Sequence, residues 1–478
     1  MTECPDAEDA LDSRREFLKA AGVSAVLTTS LAGCVGTEGG GGGGDTATTA
    51  ADTGGETEAT DDTETEATGS TETEDTGGDT TTATEESPDK VVVGQPASLT
   101  GKWDFLQPAV TQSTDLAVSE INDAGGPLGA KFEISRRDTA VKPQQARQVV
   151  QQLLNNDNAV AINGLFSSEI VPLWDFLKQQ TTPIVTPWPG TRFLDTRGGD
   201  KGTPEKMNDD GWVWRTVIGD TVHTAGAAQA MYENDFQNVG ILNGTSAGER
   251  GWADSFQQAF ENLGGTVTKR VEVSEGQSSY QSSLNVLFQA DFDAWALAAG
   301  LEDATTIIRD WSAGGYGKQL LLEDGLMDPD LIEAVGEEAE GAWIAAGSTQ
   351  GPNYDAFKPK FSEAGDADIH TWGVAAYDAT NVIALAIHRA GSTDPAAIEQ
   401  HIGAVTREGG TTVSTFPEGK DALDAGDDIN YEGAVTQVDF TQFGNVWGDV
   451  AVSTVSPDGF DEEFSIGADT LKQSIENY

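Results

Sequence analysis

The sequence predicts an α/β fold: parallel sheets with helices on both faces, divided between two lobes. Three observations carry this. An amphipathic helical stretch, a pair of glycines and an apolar strand pattern recur in that order at 110–135, 251–273 and 304–322. Strand and helix patterns alternate from Lys90 onward, the order that builds parallel strands with crossover helices. The stretch 90–478 also holds more strands than one open sheet carries and more residues than one core packs.

The first 89 residues have a different texture. Residues 13–19 read Ser13-Arg14-Arg15-Glu16-Phe17-Leu18-Lys19, a weakly apolar run follows from Ala20 to Leu31, and Leu31-Ala32-Gly33-Cys34 closes it. The paired Arg14 and Arg15 resemble a twin-arginine export signal. The run of about 12 residues is too short to span a bilayer. Leu31 to Cys34 resembles a lipobox, in which small residues admit the peptidase and the cysteine thiol takes the lipid. Residues 1–33 are then expected to leave, with Cys4, and Cys34 to anchor the chain on the outer face of the membrane. Residues 35–89 are Gly, Thr, Asp, Glu, Ala and Ser almost throughout, with six glycines at Gly39 to Gly44 and no aromatic, Leu, Ile or Met. No core can form there, so 34–89 reads as a lipidated cysteine and a disordered acidic stalk.

The body begins with Val91-Val92-Val93, a short buried-strand pattern. A loop, Ala97 to Asp104, leads to a helical stretch with apolar Val110, Leu116, Ala117 and Ile121, stopped at Gly125-Gly126 because glycine tolerates the left-handed conformation. Strands are expected at Lys131 to Ser135, Ala159 to Ile162, Pro183 to Val185, Val213 to Val217, Val239 to Leu242, Thr266 to Val273, Ala294 to Leu297, Gln319 to Leu322 and Ala342 to Ala345. Helices are expected at Lys142 to Leu154, Gly251 to Leu263 and Ala304 to Ala313.

Composition excludes several functions. Acidic residues number 79 against 27 basic, a net charge of −52. Nucleic acid and anionic membrane surfaces are thereby excluded as direct partners. Residues 1–89 contribute −19 of this charge and residues 90–478 contribute −33. A folded body that acidic repels itself unless concentrated salt screens it, so a halophilic habitat is expected. The two cysteines, Cys4 and Cys34, leave no disulfide scaffold or Cys-based zinc site in the body. His223, His370, His388 and His401 are scattered, so no metal is expected. No G-x-S-x-G, Walker A or other catalytic pattern is present, and neither an enzyme nor a cofactor is expected.

Several stretches then occur in a telling order. They are Gln95 to Gly101, Ala117 to Gly129, Asp138 with the helix Lys142 to Leu154, Ile162 to Ser168, Thr182 to Pro187, Val213 to Thr216 and Gly248 to Phe256. Together they resemble the extracellular solute-binding proteins of the branched-chain amino-acid and amide type that feed ABC transporters, with a type I periplasmic-binding fold, here as a haloarchaeal-like lipoprotein. The resemblance implies two Rossmann-like lobes joined by a three-strand hinge. Lobe 1 would be 90–217 plus 347–433, and lobe 2 would be 218–346 plus 434–470. Ligand would sit between them, at the carboxyl ends of the strands. ABC permease subunits are the implied partners, and a monomer is implied. A receptor coupled to a chemotaxis transducer and, more remotely, a secreted hydrolase are the alternatives.

A zwitterion needs donors for its carboxylate and an acceptor for its ammonium. Phe166, Ser167 and Ser168 lie between a strand and a helix, where hydroxyls and backbone N–H groups suit an anion. The resemblance implies a carboxylate-binding serine here, Ser167 or Ser168, in a loop one residue shorter than the family pattern; a helix cap is the other use of such a serine. Thr191, in Thr186-Pro187-Trp188-Pro189-Gly190-Thr191, matches a threonine that binds the amino acid, with one extra residue before it. Trp188 is larger than usual and implies a more aromatic pocket. Trp103 matches a position touching the ligand side chain. Asp324 matches an acid that pairs with the ligand ammonium, with Glu323 its rival. Ala247 stands where many members carry an aromatic, so Ser246 and Asn243 are expected to supply polar contacts instead. The sequon Asn243-Gly244-Thr245 is expected to go unused, and Phe193 to Gly211 forms an inserted rim or surface loop.

Overall fold

The computed structural model describes residues 88–101, 103–197 and 212–475. The Arg14-Arg15 signal, the Cys34 lipidation site, the stalk and most of the 193–211 insertion lie outside the described residues.

A first sheet contains β1 (Lys90–Ala97), β2 (Lys131–Asp138), β3 (Ala161–Asn163), β4 (Ile184–Thr186) and β5 (Val213–Arg215), in the order β2-β1-β3-β4-β5 and parallel throughout. The connecting helices are α1 (Gln107–Asp123), α2 (Pro143–Asn155) and α3 (Ser167–Gln180). The chain leaves β1 for β2 on one side and then enters β3 on the other. That reversal opens a crevice beyond the carboxyl ends of β1 and β3. The α1 stop is as expected: Gly125 and Gly126 have φ of 89° and 71°. A side chain on Gly126 would meet the Ala130 carbonyl oxygen at 1.8 Å.

A second sheet follows after α4 (Asp220–Glu233). Its first strands and helices are β6 (Asn238–Asn243), α5 (Ala247–Asn262), β7 (Thr266–Glu272), α6 (Gln281–Leu287), β8 (Ala294–Ala298) and α7 (Leu301–Gly314). They continue with β9 (Gln319–Leu322), α8 (Pro329–Val335) and β10 (Trp343–Gly347). A second reversal lies between β6 and β8, since the order is β14-β13-β10-β9-β8-β6-β7. This sheet is not wholly parallel. Its last two strands, β13 (Val450–Ser456) and β14 (Gly459–Ile466), run antiparallel, as does β13 against β10. Only Pro457 and Asp458 join β13 to β14, and a two-residue turn can connect only antiparallel neighbours.

Between β10 and β13 the chain returns to the first sheet. It forms α9 (Tyr354–Ala364), α10 (Thr371–Ala390), α11 (Pro395–Ile402), the strands β11 (Thr411–Val413) and β12 (Ile429–Tyr431), which pair in parallel, and α12 (Phe416–Ala425). A final helix, α13 (Ala468–Ser474), ends the described chain. Every residue of α10 from Gly373 to Ile387 is buried, so this helix is the interior of its layer. It packs on α1, α11 and α12.

Three segments, 216–219, 348–353 and 432–449, carry the chain between the two sheets. They are tied to one another by backbone bonds: Arg215 N–H to Gly444 O at 2.9 Å, Ser348 N–H to Asp449 O at 2.8 Å and Gly351 N–H to Ala434 O at 2.8 Å. α10 anchors two of them. Thr216 donates its hydroxyl to Ala375 O at 2.9 Å. The buried Asp378 carboxylate accepts from Tyr431 Oη at 2.8 Å and from the N–H groups of Ala434 and Val435, each at 2.9 Å.

Candidate functional site

The carboxyl ends of the first sheet carry an aromatic wall. Ser98 Oγ donates to the Trp103 carbonyl at 2.8 Å and fixes the loop after β1. Asp138, at the end of β2, accepts from Thr100 Oγ1 at 2.6 Å and from the Ala140 N–H at 3.0 Å. Burial raises the Asp138 carboxyl, but these bonds outweigh it and leave it below its ordinary value. Trp103 stacks on Phe166 with centroids 6.3 Å apart, and Phe166 stacks on Trp188 at 4.7 Å. Trp372 meets Trp103 edge-on at 6.1 Å and stacks on His370 at 4.6 Å. Gly164 makes this possible: at φ 150° any Cβ would lie 2.9 Å from Trp188 and 2.6 Å from the Pro96 carbonyl oxygen. The next residue, Leu165, is buried at φ 81°, a strained setting for a branched side chain.

The two serines separate. Ser168 is exposed, whereas Ser167 is half-buried and its Oγ accepts from the Thr191 N–H at 3.3 Å. Neither is the helix cap. Phe166 holds that position, and its N–H is satisfied by Glu169 Oε2 at 2.8 Å. Thr191 Oγ1 accepts from the Phe193 N–H at 3.3 Å at the start of a short 3-10 turn, Arg192–Thr196.

Behind this loop lies a buried cation that sequence reading assigned no role. Arg215, at the end of β5, is 1% exposed. Its Nη1 donates to the carbonyls of Pro189, Gly190 and Thr191 at 3.2, 2.9 and 3.1 Å, and its Nη2 pairs with Asp195 Oδ1 at 2.6 Å. Arg215 thus fixes the Trp188–Thr191 loop from below. The signal was an arginine at the end of an apolar strand.

The second sheet contributes Asp324, in the turn after β9. A side chain on Gly325 would stand 3.5 Å from the Trp103 ring, so the loops of the two sheets meet here. They meet again where the Asp220 N–H donates to Gly190 O at 2.7 Å and Arg192 Nη2 donates to Gln258 Oε1 at 2.6 Å. Asp324 keeps 15% of its side chain accessible although protein surrounds it, and His223 Nδ1 lies 3.2 Å from its Oδ2, an ion-pair distance without hydrogen-bond alignment. Burial works against ionisation of Asp324, but the His223 charge prevails and holds its carboxyl below the ordinary range. The converse holds for His223: burial opposes its charge, yet Asp324 and Asp220 hold it above its ordinary value. Asp220 itself is pushed up to about 7 by burial and then by the Asp324 charge.

The structure therefore brings Trp103, Phe166, Ser167, Trp188, Thr191 and Asp324 to one junction. Ser246 serves as the cap of α5 in a reciprocal pair with Glu249: its Oγ accepts from the Glu249 N–H at 3.3 Å and its N–H donates to Glu249 Oε2 at 3.0 Å. Asn243 is fully buried and accepts from Arg270 Nε at 2.8 Å, so the sequon is closed in the folded chain. Among the described residues no group of His, Cys, Asp and Glu is placed to hold a metal ion, and no helix is long and apolar enough to cross a membrane.

Two largely parallel sheets, each with its strand-order reversal and with their carboxyl-end loops meeting, define the class: an α/β binding protein of the type I periplasmic-binding fold. Residues 90–442 match the periplasmic binding protein family, and the chain belongs to it. It is 25% identical over 311 residues to a Leu/Ile/Val-binding protein homologue of Brucella melitensis, covering 64% of this chain and 81% of that one. The fold is similar to that of a branched-chain amino-acid transporter substrate-binding protein from Streptococcus pneumoniae in complex with isoleucine. That likeness has a TM-score of 0.64 at 18% identity and covers 79% of this chain and 99% of that one. It is also similar to an ABC-transporter solute-binding protein from Rhodopseudomonas palustris in complex with p-hydroxybenzoic acid, with a TM-score of 0.62 at 17% identity and coverage of 80% and 98%. Members of this family are solute-binding proteins, and that is the general role of this chain.

Proposed function

We propose that the chain is the extracellular ligand-capturing component of an ABC importer, held on the outer face of the membrane by lipid on Cys34 and binding a small amino acid or amide. The observation that carries this reading is the meeting of Trp103, from the first sheet, with Gly325 beside Asp324, from the second. Contacts to a solute made from both sides exist only when the two sides are together, so binding favours closure. The moving parts are lobe 1 (90–217 plus 347–433) and lobe 2 (218–346 plus 434–470), pivoting on the three crossing segments. Ser167 and Thr191 offer the donors for an acid or amide oxygen, and the aromatic wall receives the apolar part. Calorimetry on the chain in multimolar salt tests this. One-site binding is expected for at least one member of a panel of amino acids, amides and small organic acids, and no binding across the panel refutes the ligand class.

A further inference from the structure

His223 is the group at this junction that the reading above leaves without a task. It is 4% exposed, one turn after Asp220 on α4, with Nδ1 at 3.2 Å from Asp324 Oδ2. Its Nε2 faces the end of β10, where a side chain on Gly347 would stand 3.1 Å away. The charged groups around the ring are Asp324 from the turn after β9, Asp220 from its own helix and Arg215 from β5. Arg215 is already paired with Asp195. The Trp252 indole of α5 adds a further N–H near Asp324.

We infer that His223 is a built-in cation that occupies the Asp324 carboxylate from behind, so that this end of the cleft receives an uncharged hydrogen-bonding head group, such as a primary amide, and not a free ammonium. The inference rests on the cleft being the ligand site. A carboxylate gains from a ligand cation only what remains after that cation is taken out of water. Here the carboxylate already has its counter-charge, and a second cation would stand beside the first and be repelled by it. An amide N–H donates to the remaining Asp324 oxygen without adding charge.

The test pairs a ligand-independent measurement with matched probes on the full chain. Imidazole NMR resolves the four histidines, and the expected result is a protonated His223 at pH 7 whose titration midpoint drops in Asp324→Asn. The half-buried His370, pushed down to about 4 by desolvation, provides a neutral reference. Calorimetry then compares phenylacetamide with 2-phenylethylammonium, which share an aromatic body and differ in head-group charge. Phenylacetamide is expected to bind more tightly, and His223→Gln to move the preference toward the ammonium by about tenfold, the gap between a charge-assisted and a neutral hydrogen bond. A neutral His223 at pH 7 overturns the inference whatever the ligand is, and so does tighter ammonium binding by the unmodified chain. If His223 is charged but neither the chain nor the variant binds any probe or amino acid, the cleft reading is what fails, and the inference goes with it.

Discussion

Removing the cation beneath the Thr191 loop should cost far more than removing its charge together with its partner's. Arg215 spends one guanidinium on three carbonyls and on Asp195, all away from water. Each bond from a charged donor is worth about 1.5–3 kcal/mol, but the values do not add, because burying the guanidinium itself costs several kcal/mol. The decisive quantity is what is left behind. In Arg215→Met, Asp195 keeps the Thr221 hydroxyl but loses the Arg215 guanidinium while remaining 1% exposed. Such orphaned buried charges cost about 3–5 kcal/mol. Asp195→Asn retains an acceptor for Nη2 and should cost about 1–3 kcal/mol. The double variant has neither the buried guanidinium of Arg215 nor the buried carboxylate of Asp195. It should be more stable than Arg215→Met alone by about 1–3 kcal/mol; with the Asp195→Asn loss of about 1–3 kcal/mol, the two changes then depart from additivity by about 2–6 kcal/mol, well above the ~0.3–0.5 kcal/mol within which independent sites add. Denaturant unfolding at fixed high salt measures all four proteins. A double variant that loses the sum of the two single losses would refute the orphaned-charge argument. Both variants lacking Arg215 should also bind solute more weakly, since the Pro189, Gly190 and Thr191 carbonyls are no longer held.

Three further outcomes are expected. Asp378 is pushed up to about 7 by burial, only partly offset by the Ala434, Val435 and Tyr431 donors, whereas an unfolded carboxyl titrates near about 4. The folded state therefore holds the extra proton between those values, so stability falls as pH rises through that window and levels off above it. Asp378→Asn should flatten that slope, with the contribution of Asp220 remaining, and a pH series of unfolding midpoints checks it. Trp188→Ala, which empties the space over Gly164 beside Phe166, should destabilise by about 3–5 kcal/mol, while Trp188→Phe should lose much less. Finally, residues 90–478 carry −33, and raising salt shortens the screening length from about 10 Å at 0.1 M to about 3 Å at 1 M. The unfolding midpoint should climb steeply over that range, and a midpoint indifferent to salt would remove the halophile reading.

Much of this fold could be read ahead of the coordinates wherever one face of an element is buried. The helix–Gly-Gly–strand units at 110–135 and 251–273 were visible because a stripe of apolar residues ends at a glycine that must adopt positive φ. α10 was not visible, for the opposite reason. Being buried all round, it shows no stripe, and Asp378, Thr380 and Asn381 interrupt its apolar run. Each of these finds its partner far away in sequence: Tyr431, Asn163 and the Phe416 N–H. The β13–β14 hairpin was missed because Gly459–Ile466 alternates weakly and is largely open to solvent. Trp103, Phe166 and Trp188, which stack at the carboxyl ends of the first sheet, could be singled out because each follows a strand. Ser246 also caps α5, accepting from the Glu249 N–H, and the Glu three residues later was the signal for that.

Arg215, Asp220 and His223 escaped for a reason specific to this composition. With 79 acids in the chain, a carboxylate near a strand end carries almost no information, and Asp324 could be singled out only by resemblance. Cations invert that logic. Only 27 lysines and arginines serve the whole chain, and most of those that form ion pairs among the described residues, such as Lys90 with Glu133 and Arg250 with Glu272, are at least partly exposed, where such pairs contribute little. Arg215 is instead sealed behind the Trp188–Thr191 loop, and His223 sits against Asp324, beside the Gly325 that meets Trp103. Burying a positive charge takes several kcal/mol of desolvation, and the acidic surface does nothing to offset it at that depth. Arg215 and His223 therefore mark the junction more specifically than its carboxylates do. They also assign separate duties: Arg215 fixes the loop that carries Thr191, and His223 sets the charge that a ligand head group meets.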